Sequence, residues 1–422
     1  MSRLNARMVY LVMSGAWPFL MSTIWIAGAV YYVVAVHMNP LQLVLVGTGL
    51  EVGYFAFQIP TGLFADMVSR RTSVVIGWCI GGCCWIVEGL VPVFGAVLIA
   101  ETVRGAGMAF IDGAESAWLA DEVGESSVGP LMVRGSQIAQ IAGMAGTITG
   151  VSLGTIRLNL PVVLGGVLLL AMGVVLALVM PEQGFRPARR EEQSRLGAVG
   201  ATLRAGIRGV RASTVLLLLV AVSLVSGAAS EGFDRLWQAH LIHDVQFPKM
   251  IHLKVVAWFG VIGLANGLIC TLALTICRAR LQRISQSQGA SARVLLGLNG
   301  VCIVAIAVFG LAHAFVVAFI ALAIKAVTGT FMGPLYESWL IQNIDPRVRA
   351  TVLSISSQAN AVGQIAMGPV VGAIGAVLSL RAAIIAAGIL LSPVLPLYAR
   401  TLRGETLVTA EEAPEVVTSA AG

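Results

Sequence analysis

Gly62-Leu63-Phe64-Ala65-Asp66-Met67-Val68-Ser69-Arg70-Arg71 is a short charged turn between two long apolar runs. The run before it covers roughly Leu41–Phe64 and the run after it roughly Thr72–Leu90. Each is near the ~20 residues a helix needs to cross about 30 Å of hydrocarbon. Outward from this turn lie ten further runs of that kind. They are roughly Tyr10–Val36, Val93–Ala120, Pro130–Thr155, Leu160–Met180, Thr214–His240, Met250–Ile276, Val294–Ala312, Phe315–Leu340, Thr351–Gly375 and Ala382–Ala399. Breakers such as Asn39-Pro40, Pro92 and Phe247-Pro248 separate neighbours. The pattern predicts an all-α integral membrane protein with twelve transmembrane helices.

Composition agrees. Of 422 residues, 57% are hydrophobic and 11% charged, against about 25% charged in soluble domains. A soluble enzyme, a disordered protein and a nucleic-acid binder are excluded on that ground. Cys79, Cys83, Cys84, Cys270, Cys277 and Cys302 lie in or beside apolar runs and read as small packing residues. They form no paired CxxC set for zinc. Arg3 and Arg7 precede an apolar run too long for a signal peptide, so this run is expected to stay in the protein.

Basic loops face the cytoplasm. With both ends and every second loop inside, twenty of the 27 Lys and Arg fall there. Arg157, Lys249, Lys254 and Arg381 fall outside, and Arg104, Arg235 and Lys325 fall within spans. One span more or fewer would spoil this bias. The expectation is a multi-pass protein of a bacterial cell (inner) membrane with both termini cytoplasmic. Residues 1–180 form one six-helix bundle and 214–403 a second. Residues 181–213 form a cytoplasmic central loop, and 404–422 an acidic, disordered tail. In the loop, Leu196, Val199, Leu203, Ile207 and Val210 are spaced as on a helix among Arg195, Arg204, Arg208 and Arg211. That suits an amphipathic helix on the membrane surface; a solvated linker fits its glycines equally well.

The halves repeat. Gly107 precedes Glu115-Ser116-Ala117-Trp118-Leu119 at the spacing by which Gly329 precedes Glu337-Ser338-Trp339-Leu340. Gln137 and Gly150 find counterparts in Gln358 and Gly372. Six spans followed by six in the same orientation make a parallel repeat, which buries a site where the halves meet and exposes it alternately.

The turn quoted first resembles the signature loop of the major facilitator superfamily: glycine, three residues, aspartate, three residues, two basic residues. Ser69 departs from it, since glycine is common there. The equivalent loop around Arg278–Arg293 lacks the aspartate. The resemblance implies the superfamily fold of two six-helix repeats, and a likeness to the bacterial drug-efflux members. It implies a small-molecule substrate, protons as the coupling partner, a lipid bilayer, a monomer and a central cavity lined by spans one, four, seven and ten. It also implies that Gly62, Asp66, Arg70 and Arg71 latch the cytoplasmic side. On physical grounds, Gly62 would let two helices approach closely, and Asp66 could pair with Arg70 and sit at a helix N-terminus.

An ionisable group within a span costs at least ~2.5–3.5 kcal/mol and needs a reason. Along span four, Glu101, Arg104, Met108, Asp112, Glu115 and Leu119 share one helical face. Glu101 can pair with Arg104. Asp112 and Glu115 are close enough for one carboxylate to favour a proton on the other. Span seven carries Glu231, Asp234, Arg235 and Gln238 at i, i+3, i+4, i+7. Span ten carries Lys325 and Glu337, and span two Glu51. Arg104 resembles the fourth-helix arginine of the superfamily's antiporters, so Arg104, Asp112, Glu115, Glu231 and Asp234 are candidates for proton coupling. A static ion-pair network is the competing reading. Trp25 and Tyr32, with Trp17 and Tyr31, offer an aromatic wall or membrane anchors. Gln137, Arg235, Gln238, Lys325, Glu337 and Gln358 complete the cavity candidates. His240 and His243 read as interfacial groups.

Gly146 and Gly150 in span five, and Gly368, Pro369 and Gly372 in span eleven, suit close helix packing. The antiporters' fifth-helix glycine–proline motif lacks its proline here. No P-loop, HExxH or Cys/His cluster is present, and no GxSxG stands in the context a nucleophile needs, so neither ATP hydrolysis, a cofactor nor an intramembrane enzyme is expected. The apolar cavity helices, poor in amides, favour proton-coupled efflux of hydrophobic or amphiphilic drug-like compounds. A carrier for a sugar or organic ion is the second reading.

Overall fold

The computed structural model describes residues 5–186, 214–248, 253–342, 349–400 and 402. The expected amphipathic helix of the central loop and the tail from 404 lie outside these residues. Among the described residues the helices are α1 (Ala6–Val34), α2 (Pro40–Met67), α3 (Arg70–Leu90), α4 (Phe94–Ile111), α5 (Ala114–Val123), α6 (Glu125–Ile156) and α7 (Leu160–Val179), then α8 (Thr214–Asp244), α9 (Val255–Ile284), α10 (Gln288–Leu311), α11 (Phe315–Gln342), α12 (Arg349–Val377) and α13 (Leu380–Leu391). A turn at Ser392-Pro393 and a last helical stretch, 394–400, complete the final span. Asn39 starts α2 with a reciprocal capping box to Gln42, and Pro40 occupies its first turn.

The fourth span is broken. α4 ends before Asp112, which is extended (φ −61°, ψ 130°), and Gly113 takes φ 73° before α5 begins. Only a residue without a Cβ enters that region freely. The single helical face expected from Glu101 to Leu119 is therefore lost at Asp112, and α5 starts in a new phase.

Helix pairing repeats between the halves. In the first, α1 packs on α6, α2 on α4 and α3 on α7. In the second, α8 packs on α12, α9 on α11 and α10 on α13. These are the same three span pairs, displaced by six. The repeated tryptophans take matching jobs. Buried Trp118 donates Nε1–H to Pro181 O at 2.7 Å, at the end of span six, and Trp339 lies 5.5 Å from the Tyr398 ring on span twelve.

Among the described residues, eleven helices are long and apolar enough to cross a membrane by length and composition. α6 falls short, with six glycines and several Ser, Thr and Gln over 32 residues. Its fit to α1 is close: a Cβ on Gly146 would stand 2.2 Å from Phe19 O, and one on Gly150 2.4 Å from Thr23 O. Thr23 Oγ1 donates to Gly146 O at 3.1 Å. Gly62 behaves differently from expectation. It is exposed, and a Cβ there would meet nothing within 4 Å. It makes no close helix approach in this conformation, because α2 turns the buried Thr61 inward instead, to Ala109 O at 2.9 Å.

The halves meet through α1, α2 and α6 on one side and α8, α9 and α12 on the other. We call the end bearing Asn5 and Arg400 the terminal face and the opposite end the far face. At the far face Lys254 Nζ donates to Thr155 O at 2.5 Å, and Gly372 fits against Leu41 and Val44. Deeper, Gln358 Nε2 donates to Gln58 Oε1 at 3.3 Å. The conformation is closed at the far face.

Gly146→Ala should therefore cost about 1–3 kcal/mol by overpacking α1, whereas Gly62→Ala should leave stability unchanged. Thermal unfolding of the two purified variants in detergent tests the pair.

Candidate functional site

The buried charges gather on one seam. On α4, Arg104 grips Glu101 one turn away, with Nη2 at 2.5 Å from Oε2 and 2.7 Å from Oε1. Both side chains are buried. On α8, Arg235 Nε donates to Glu231 Oε1 at 3.0 Å, again within one turn. A Cβ on Gly47 of α2 would lie 1.7 Å from Glu231 Oε1, so only glycine leaves room for this pair against α2. Between the two pairs stands Trp25. The Arg104 guanidinium lies 5.7 Å and the Arg235 guanidinium 5.5 Å from its ring centroid, one from each half of the chain. Arg104 also sits 4.5 Å over Trp85. Such contacts reach about 2 kcal/mol when desolvated.

The seam extends into the second half. Lys325 Nζ donates to Asp234 Oδ1 at 2.9 Å and lies 4.2 Å over the Phe233 ring. Asp234, Arg235 and Gln238 line a small cavity with Trp25, Tyr32 and Trp85. Sequence reasoning missed one member, Glu88 on α3. It is fully buried, and Tyr32 donates its hydroxyl to Oε2. Tyr31 donates to the Glu88 carbonyl at 2.9 Å. An acid inside the third apolar run was the available signal.

Two larger cavities flank the seam. In the first half a cavity of about 330 Å³ is lined by Glu51, Asp112 and Glu115 with Trp17, Tyr54 and Met108. No Lys or Arg lines it. Tyr54 donates its hydroxyl to Asp112 Oδ2, pinning the carboxylate at the break in span four. In the second half a cavity of about 300 Å³ is lined by Ser226, Ser230, Asn299, Tyr336 and Asn360 among apolar groups. Ser223, Tyr336 and Ser356 bond one another there at 2.6–3.2 Å.

The charged turn forms its own cluster. Arg70 pairs with Asp121 of α5 and, at 3.5 Å, with Asp66. Arg71 donates its side chain to Ala177 O and its backbone N–H to Glu182 at 3.0 Å. Ser69 caps α3 through Thr72 N at 2.9 Å and donates to Glu182 at 2.8 Å. The serine that departs from the motif thus starts the third helix. Asp121 and Glu182 were not singled out in the sequence. All these partners lie in the first half, so the cluster ties spans two, three, four and six together.

Other candidates scatter. Gln137 and Glu337 are exposed. Gly368 packs where Glu231 meets Thr48 and Val44, with Pro369 inside α12 beside it. Of the span-one aromatic residues, Tyr31 and Tyr32 are buried, and Trp17 packs on Trp78 at 5.1 Å. His240 is buried near the far ends of α8 and α10, between Asp244 at 2.8 Å and Phe309 O at 3.0 Å. Among the described residues no group of three His, Cys, Asp or Glu could hold a metal.

Removing one partner of a buried pair strands the other, at about 3–5 kcal/mol, while removing both is far milder. Arg104→Gln should lower the thermal midpoint markedly, and Glu101→Gln with Arg104→Gln should recover much of the loss. Melting curves of the single and double variants check this.

Comparison with known proteins places this geometry. The family model of the Major Facilitator Superfamily matches residues 9–366. The uncharacterized MFS-type transporter YxaM of Bacillus subtilis (strain 168) is 22% identical over 383 residues, covering 89% of this chain and 90% of that protein. Among solved structures, the nucleoside transporter NupG superposes with a TM-score of 0.72 at 14% identity, over 95% of this chain and 99% of the other. A POT family transporter in complex with 5-aminolevulinic acid gives 0.72 at 13% identity, over 96% of both chains. A bacterial homologue of the human lysosomal transporter Spinster, inward-facing and unoccupied, gives 0.70 at 14%, over 94% and 96%.

Proposed function

Because the chain belongs to the major facilitator superfamily and is a membrane transporter of that type, we propose that it exports positively charged, amphiphilic compounds in exchange for protons. The supporting observation is the cavity of Glu51, Asp112 and Glu115 with Trp17, Tyr54 and Met108. Three carboxyl groups without a cation among the lining residues need positive charge, which protons or a cargo can supply. Aromatic faces and a thioether suit a large, soft cation. Competition between proton and cargo for the same carboxylates gives exchange: bound cargo expels protons, and protons from the other side expel cargo. The distribution of Lys and Arg supports a cytoplasmic terminal face. In the far-closed form the cargo would then load from the cytoplasm.

In this scheme Asp112, Glu115 and Glu51 exchange protons, whereas Arg104 and Arg235 hold Glu101 and Glu231 in place. The Asp66–Arg70–Asp121 cluster keeps the cytoplasmic ends of the first half in register during rocking. A second reading, transport of a small hydroxylated metabolite, draws support from the Ser, Asn and Tyr lining of the second-half cavity. The fold is also shared with the nucleoside transporter NupG.

Expression in a drug-sensitive bacterial strain should speed ethidium efflux. An uncoupler that dissipates the proton gradient should abolish the gain, and Asp112→Asn should reduce it at least several-fold. Unchanged efflux of every cationic dye tried, with uptake of a neutral sugar or nucleoside, would favour the second reading.

A further inference from the structure

Glu88 has no place in the scheme above. Its burial is complete, two residues before the end of α3 at the far face. Oε2 accepts the Tyr32 hydroxyl, and Oε1 has no hydrogen-bond partner. Its charged and titratable neighbours are few. α1 offers Tyr31 and Tyr32, α3 itself Cys84, and α4 the Glu101–Arg104 pair, with Arg235 of α8 beyond. α7, which packs on α3, carries no ionisable side chain. Among the described residues no ion pair reaches Glu88. Arg104 is committed to both oxygens of Glu101, and Arg235 to Glu231. With Lys325 paired to Asp234, the seam thus holds four carboxyl groups against three cations, and Glu88 is the carboxyl left over.

A buried carboxylate with no cation, and with one oxygen unbonded, would carry a large desolvation penalty. A neutral carboxylic acid would not. Tyr32 separates Glu88 from the small cavity between the halves, which it lines with Arg235 and Gln238. Parting the halves at the far face would bring water to Tyr32 and then to Glu88.

We propose that Glu88 is a proton-binding site that controls the far gate: the gate closes only when Glu88 has taken a proton from water on the far side. Tyr32 is its positioning residue. The proposal rests on the alternating-access reading but not on the identity of the cargo. Its sign follows directly. Acid favours the neutral acid and a closed far face; alkali favours the carboxylate, which needs water and so an open far face.

The test needs no substrate. Spin labels at Ile156 and Leu378, exposed far-face positions in opposite halves, are attached in a background lacking the native cysteines, in lipid nanodiscs. Pulsed dipolar spectroscopy then reads the gap as a function of pH. In the otherwise unaltered chain, longer distances should gain population as pH rises. Glu88→Gln, a permanent neutral mimic, should stay short at every pH. Tyr32→Phe should keep the transition but move its midpoint, which covers the case of a Glu88 variant that fails to fold. Infrared difference spectra of the same samples should show a neutral-carboxyl band that titrates with the distance change and is absent in Glu88→Gln. A gap insensitive to pH, an identical shift in Glu88→Gln, or a band that survives the substitution would each overturn the proposal. Failure to move ethidium would count against the export reading and leave these readings intact.

Discussion

A charge inside the bilayer has no water to screen it, and the cost of leaving it unpaired is several kcal/mol even after relaxation. In this chain that requirement is met by two arginine–glutamate pairs, each closed within one turn of its own helix, and by one tryptophan between them. Because each pair is complete within its half, the halves can separate without breaking an ion pair. Because Trp25 faces both guanidiniums, they still attract where they touch. Neighbouring features follow from this arrangement. Gly47 must lack a side chain where Glu231 and Arg235 lean on α2. α2 and α4 approach so closely that a Cβ on Gly105 would stand 2.1 Å from Leu50 O, which brings Glu51 and Tyr54 beside Asp112.

The repeat conserves architecture and not chemistry. Span pairs one–five, two–four and three–six recur as seven–eleven, eight–ten and nine–twelve, and Trp118 and Trp339 occupy matching positions at the terminal face. Yet the first-half cavity is acidic and aromatic, whereas the second is lined by hydroxyls and amides. A parallel duplication sets up two equivalent scaffolds around one seam. Polar side chains on each are then free to diverge, because packing is carried by apolar residues and glycines elsewhere.

The spans, their number and the repeat were legible because they rest on local quantities: run length, breakers and the placement of cations. The pairings Glu101–Arg104 and Glu231–Arg235 were legible because both partners lie on one helix. The break at Asp112-Gly113 was passed over although Asp-Gly is a turn signal, because the residues on either side were read as one continuous span. Glu88 was passed over because it stands near the end of its run, where a carboxylate normally reaches water; the fold instead sets Tyr31 and Tyr32 of α1 and the Glu101–Arg104 pair of α4 around it. Gln58 and Gln358 meet across 300 positions of sequence, a contact set by how the halves dock. Asp121 and Glu182 read as ordinary loop acids until the fold brings Arg70, Arg71 and Ser69 to them.

α6 bears on how such a chain enters its membrane. Its hydroxyls turn back on their own helix, Thr147 to Gly143 O, Thr149 to Ala145 O and Ser152 to Ile148 O, which removes some of the penalty of lipid contact. Gly135, Gly143, Gly146 and Gly150 gain their contacts against α1. The segment is therefore a poor candidate for independent partitioning from the translocation machinery. Its natural route into the bilayer is as the partner of a helix made more than a hundred residues earlier. α1 must then wait near the exit site while three intervening spans are threaded, so biogenesis of the first half proceeds as a joint assembly and not as a string of separate insertions.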